Sequence, residues 1–220
     1  MAQIYVRPGV TVTRVGSDSG GPIAARGGRD GALVVLNEYD GLVREGRVFC
    51  ASGGSGTSPI TFAGAYDADA PDLSIDIPDG TIAIPLFFQV VIETSGASMF
   101  EIIMMASRTL TAVTAGTAVT PTNMRLDAPV STVSTVYAAV DAAGCTDPNT
   151  AGAVEFFRSG YPTDPDVAGN PTLEFTWSAK NHGPGPIIVD GGSFVIYAAG
   201  TSGTGFVKAI WAELPESALV

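Results

Sequence analysis

Lysine is almost missing from this chain: Lys180 and Lys208 are the two lysines among 220 residues. All basic residues together number 11 against 22 acidic ones, a formal net charge of −11. Gripping a phosphate backbone takes clustered cations that displace counterions, so nucleic acid is excluded as a partner and anionic membrane surfaces are disfavoured. Histidine is rarer still. Any hydrolase triad or histidine metal cluster would have to include His182, the single histidine, which sits in Asn181-His182-Gly183-Pro184-Gly185-Pro186, a turn-rich stretch with no nucleophile motif nearby. The Gly-x-Ser-x-Gly elbow, the His-Glu-x-x-His pair and the phosphate loop with its Lys-Ser/Thr pair are absent. Two cysteines, Cys50 and Cys145, make neither a disulfide scaffold nor a metal motif, and read as unrelated, reduced, buried thiols, with one bridge between them as the alternative. The longest apolar stretch, residues 82–92, is interrupted by Pro85 and Gln89 and falls short of the roughly 20 residues of a membrane helix. The N-terminus lacks the cationic start and apolar run of a signal peptide, so the expectation is a soluble protein made in a cytoplasm.

Charged residues are 15% of the chain, against a usual share of about 25%. Hydrophobic residues supply 45%, and 27 glycines and 15 prolines punctuate them. That mixture suits short strands between turns and argues against coiled coils and helical bundles. Leu173-Glu174-Phe175-Thr176-Trp177-Ser178 alternates apolar and polar with the period of a half-buried strand. Asp72-Leu73-Ser74-Ile75-Asp76-Ile77 repeats the pattern and stops at the turn Pro78-Asp79-Gly80. A shorter alternation occupies residues 10–13. Residues 82–92 and 99–106 are apolar on both faces, as buried strands are, although Pro85 weakens the first as a central strand by removing a ladder donor. Residues 193–199 and 206–213, joined by a Gly/Ser/Thr loop, read as a C-terminal hairpin of antiparallel neighbours with Val207, Ala209 and Trp211 facing inward. Residues 131–143 fit a short helix or a strand equally. The expected fold is all-β: an antiparallel β-sandwich or jelly roll over residues 30–220, entered through a strand at 30–36. Residues 1–29 are set apart as an N-terminal arm, because their Gly, Ser and Arg content cannot bury enough surface to fold alone. Two readings of that arm stand, a segment ordered by neighbouring subunits and a plain terminal loop.

Candidate chemistry is sparse. Asp67, Asp69 and Asp72 form the best metal candidate, because calcium takes several oxygen ligands from closely spaced carboxylates. Their spacing lacks the glycine and distal glutamate of the helix-loop-helix calcium loop, and a solvated acidic loop is the plainer reading. Asp164 and Asp166 form a similar pair. The glycine clusters at 53–56 and 200–205 open no helix and belong to no strand-helix-strand unit, so they read as hairpin loops rather than phosphate cradles. Paired carboxylates for glycoside hydrolysis leave no trace in spacing. Trp177 and Trp211 fall on apolar strand faces, which suits core packing better than sugar stacking. No catalytic residue, cofactor or metal is assigned, and the chain is expected not to be an enzyme.

Two segments carry a resemblance. The first is Arg29-Asp30-Gly31-Ala32-Leu33-Val34-Val35-Leu36 followed by Arg44-Glu45-Gly46-Arg47-Val48-Phe49-Cys50-Ala51-Ser52. The second is Ser193-Phe194-Val195-Ile196-Tyr197-Ala198-Ala199-Gly200 followed by Gly205-Phe206-Val207-Lys208-Ala209-Ile210-Trp211-Ala212-Glu213. Together they resemble a group of tailed-bacteriophage virion proteins in which such an entry precedes a β-rich body closed by such a strand pair. The resemblance covers about a quarter of the chain, and its motifs describe strands and turns rather than chemistry. It implies a jelly-roll virion protein, a homotrimer that decorates or cements the capsid by binding the major capsid protein. Arg14, Arg26 and Arg29 of the arm would then pair with carboxylates of the neighbour. The alternative within the virion is a tail or head-fibre component that binds another tail protein or a host glycan. Outside it, a carbohydrate-binding module or an enzyme on a β-sandwich is the remaining reading.

Overall fold

The computed structural model describes residues 38–95, 99–127, 130–161 and 173–219. The arm at 1–29, the strands read at 10–13 and 30–36, and Asp164 and Asp166 lie outside the described residues. The first described element is a helix, α1 (Glu38–Arg44), followed by thirteen strands in two antiparallel sheets. The main strands of the seven-stranded sheet are β1 (Val48–Gly53), β4 (Thr81–Ser95), β10 (Leu173–Ser178) and β13 (Gly203–Pro215), with β2 (Ile60–Phe62), β7 (Thr122–Asn123) and β11 (Ile188–Val189) at its margins. The six-stranded sheet holds β3 (Leu73–Ile77), β5 (Phe100–Ser107), β6 (Thr117–Val119), β8 (Thr135–Ala138), β9 (Val154–Tyr161) and β12 (Gly192–Ala199).

The order of the long strands identifies the topology. One sheet runs β1-β13-β4-β10 and the other β3-β12-β5-β9. Numbered along the chain as first to eighth, the first sheet is first-eighth-third-sixth and the second is second-seventh-fourth-fifth. The chain changes sheet at every step except from the fourth to the fifth. This is a jelly roll, the two-sheet solution that wraps a strand ribbon around one apolar core. Trp177, Trp211, Phe88, Phe194, Ile75 and Leu73 are among the large side chains fully buried between the layers. Inward and outward positions alternate along β10, as its sequence predicts.

Two local expectations are corrected, and one open choice between helix and strand is resolved. Residues 193–199 and 206–213 are not a hairpin: β12 pairs with β3 and β5, whereas β13 pairs with β1, β2 and β4. The connection is an arch between the sheets, turned at Gly200, whose φ of 91° suits glycine; loop length alone does not distinguish an arch from a hairpin. Val207, Ala209 and Trp211 nevertheless face the core. Pro85 does lie within a central strand. It sits in the gap between the β10 partners, which end at Phe87, and the β11 partners, which begin at Ala83. On its other side a register shift interrupts the β13 ladder, so the missing N–H falls where pairing is already broken. Residues 131–143 contain the short strand β8 and no helix. The chain turns away on either side of Val140 through the left-handed residues Ala139 and Ala143.

The helix α1 has no counterpart among the strands read from the sequence. Leu42 is buried with Val48 of β1 and Ala212 of β13, and Val43, Ile84, Leu86, Ile210 and Leu214 pack around them. These strand residues lie on the outer face of the seven-stranded sheet, so α1 is a partial third layer at one end of that face.

Candidate functional site

The three aspartates proposed for calcium do not act together. Asp72 is turned inward and is 2% exposed. One carboxylate oxygen accepts from the amide of Ala63 at 2.8 Å, the other from the amide of Ala198 at 2.6 Å. It therefore ties the β2–β3 connection to β12, and burial pushes its carboxyl up to about 7 despite the two amide donors. Asp67 is exposed and Asp69 is half-buried; a side-chain hydrogen bond to Asp69 raises the carboxyl of Asp67. Asp76 repeats the role of Asp72, accepting from the amide and hydroxyl of Thr111 and from the amide of Ala112. Among the described residues no group of three or more His, Cys, Asp or Glu is placed to hold a metal ion.

The remaining candidates are equally local in their roles. His182 ends the one-turn helix α2 (Ala179–His182), where Nδ1 accepts from the amide of Ser178 and the ring meets the edge of Phe157. Cys50 lies on β1, paired with Ile210, and Cys145 donates to the carbonyl of Asp69, so the two thiols are unbridged. Burial, first, and the surrounding aspartates push the thiol of Cys145 up to about 12, opposite to the direction a reactive thiol requires. Trp177 and Trp211 are core residues. Arg14, Arg26 and Arg29 lie outside the described residues.

Glu213 is a structural anchor that the sequence does not single out. This buried carboxylate accepts from Trp211 Nε1, from the hydroxyls of Thr132 and Ser134 and from the amide of Val133. It pins the segment before β8 to the last strand. At the other end of the same connection Asn123 Nδ2 donates to the carbonyls of Gly46 and Val130, its Oδ1 accepts from the amide of Arg125, and Arg125 donates to the carbonyl of Arg44. Between these fixed points the chain holds apolar side chains out to solvent: Met124, Val130 and Val133 are exposed, and Leu126 is 90% exposed. A mobile loop can hide such residues against its own domain; this one is tied at both ends. The signal in the sequence was four large apolar residues between Pro121 and Ser134 that follow neither the strand nor the helix period.

The outer face of the six-stranded sheet has a shallow depression of about 320 Å³ beside Tyr66, Ile103 and Met105. Arg158 lies there, between Glu101 at 2.8 Å and Glu155 at 2.6 Å. Its charge is matched locally, and the Arg158 hydrogen bond lowers the Glu155 carboxyl, so the depression offers no unpaired cation to an anionic ligand. No known protein family, no curated protein and no solved structure matches the chain.

Proposed function

We propose that this chain is a structural subunit of a tailed-bacteriophage virion, a homotrimer that decorates or cements the capsid by binding the major capsid protein. The observation that carries the reading is the apolar set Met124, Leu126, Val130 and Val133, held outward by the fixed hydrogen bonds of Asn123, Arg125 and Glu213. Presenting a leucine at 90% exposure on a tethered support makes physical sense where another molecule covers it. Jelly-roll topology and the two phage-like sequence segments support the virion setting, and the acidic surface suits a particle exterior better than a genome-facing one. Arg14, Arg26 and Arg29 add charge-assisted contacts to carboxylates of the shell.

Copy number in purified particles tests this. A decoration protein approaches the stoichiometry of the major capsid protein on a stained gel, and a chain lacking residues 1–29 binds stripped particles more weakly while keeping its fold. A handful of copies per particle would move the protein to the tail or a head fibre, and absence from particles would overturn the virion reading.

A further inference from the structure

The outer face of the six-stranded sheet sets an aromatic ring and a charged group on either side of an apolar floor. Cross-strand pairs define its rows: Glu101–Ala199, then Ile103–Tyr197–Arg158, then Met105–Val195–Glu155. Directly opposed residues share a face, and Ile103, Met105, Val195 and Tyr197 form a cluster apart from the core between the layers. Residues three apart on a strand ordinarily face opposite ways. Glu155 and Arg158 nevertheless share this face, because the β5–β9 register shifts between Met104 and Met105. The shift gives β9 an extra residue, Phe156, which packs on the core against Phe88 and Trp177. Arg158 is then clamped: Nε and Nη2 donate to the two oxygens of Glu155 at 2.8 and 2.6 Å, and Nη1 donates to Glu101 Oε1 at 2.8 Å. Three of its five N–H groups are used. One N–H on each Nη is spare, and Glu101 Oε2 accepts from no described residue. Across the floor of Ile103, Met105 and Ala199 stands Tyr66. Its ring leans on Tyr197 at 4.8 Å between centroids, and its hydroxyl accepts from Asn149 Nδ2 at 2.8 Å. The same Nδ2 donates to Asp147 Oδ1, so the support is itself held. Tyr66 is thus fixed in place and still 43% exposed.

We propose that this depression binds a neutral sugar ring, with the C–H face of the ring on Tyr66 and its hydroxyls on Arg158 and Glu101. A pyranose presents weakly positive C–H groups on one face, which suit the negative face of an aromatic ring. Its edge carries hydroxyls that both donate and accept, and the spare guanidinium N–H groups and carboxylate oxygen supply both complements. The charges decide between ligand classes. Arg158 is already matched by two carboxylates, so an anionic ligand would have to displace a bond already made, whereas a polyol takes the spare positions and breaks none. A hydrocarbon would cover those polar groups and leave them unsatisfied. The volume of about 320 Å³ stands at the small end of ligand sites and holds a mono- or disaccharide. Both walls are locked before any ligand arrives, which lowers the cost of binding. The inference does not rest on the capsid reading, since it uses none of the residues around Leu126.

Amide-resolved NMR of the full chain, titrated with the methyl glycosides of glucose, galactose, mannose and N-acetylglucosamine, tests it. At least one should titrate saturably and shift the amides of Tyr66, Glu101, Ile103 and Arg158. Tyr66→Ala should weaken that sugar by at least about tenfold, and Tyr66→Trp should retain it, with folding read from the same spectra. The uronic acid of the sugar that binds should be weaker by about tenfold, because its carboxylate meets Glu101 and Glu155. Replacing both (E101Q/E155Q) leaves Arg158 unmatched and should close or reverse that gap, an effect that a purely structural ion pair would not produce. No saturation by any of the four glycosides, or shifts centred on other residues, would overturn the proposal. So would a Tyr66→Ala variant that binds like the parent, a uronic acid as tight as its neutral partner, or a gap untouched by E101Q/E155Q.

Discussion

Asp72 and Glu213 occupy similar niches and differ in consequence. Both are buried carboxylates satisfied by the chain's own donors. Asp72 has two amide donors, and its desolvation outweighs them, so its carboxyl rises from 3.8 to about 7. Between those values the folded chain holds a proton that the unfolded chain has released. The stability contributed by the neutral form is therefore full below about pH 4 and is lost as pH rises toward about 7. Thermal melts across that range should show the midpoint falling as pH rises, and Asp72→Asn should flatten that slope. The same substitution turns an amide NH₂ toward a backbone N–H and should cost about 1–3 kcal/mol at low pH. For Glu213→Ala the indole N–H, two hydroxyls and one amide lose their acceptor together. Denaturant unfolding should report a loss on the order of 3 kcal/mol.

At the scale of elements, the sequence was most legible where one face is wet. The alternation in β10 survives into the structure residue by residue, because Glu174 and its outward neighbours meet solvent while Leu173, Phe175 and Trp177 meet the core. Legibility fell where both faces are covered: in β3 the polar Ser74 is buried too, held by the hydroxyl of Thr111 at 2.6 Å. It failed where the deciding partner is distant. Whether β12 and β13 form a hairpin or an arch depends on β3, β5, β1 and β4, none of which the Gly200–Gly205 connection can specify. The inward turn of Asp72 likewise depends on Ala198, more than a hundred residues away, and removed a metal candidate that spacing alone had suggested. Helix α1 escaped notice because its apolar contacts, Leu42 and Val43, are too few to establish a period. A tight approach supplies another check: a Cβ on Gly205 would fall 2.0 Å from the carbonyl oxygen of Val91. Gly205→Ala should therefore lower the melting temperature sharply, whereas Gly56→Ala, in open space, should leave it within about a degree or two.

For the whole molecule, the jelly roll encloses a continuous core but leaves different business on its surface. One outer sheet face is sealed at one end by α1, the other carries locally matched charges, and the connection around Leu126 projects apolar groups on fixed supports. Leu126→Asp should leave unfolding stability within about 0.5 kcal/mol, since the side chain touches little of its own domain. On the proposed function, its effect is expected on association between chains. Light scattering of the full chain at micromolar concentration, with Leu126→Asp beside it, is the direct measurement. Three times the 22.4 kDa chain mass for the parent protein, and the single-chain mass for a folded Leu126→Asp variant, is the expected result. A parent protein that stays at 22.4 kDa would contradict the reading of this surface as a subunit contact.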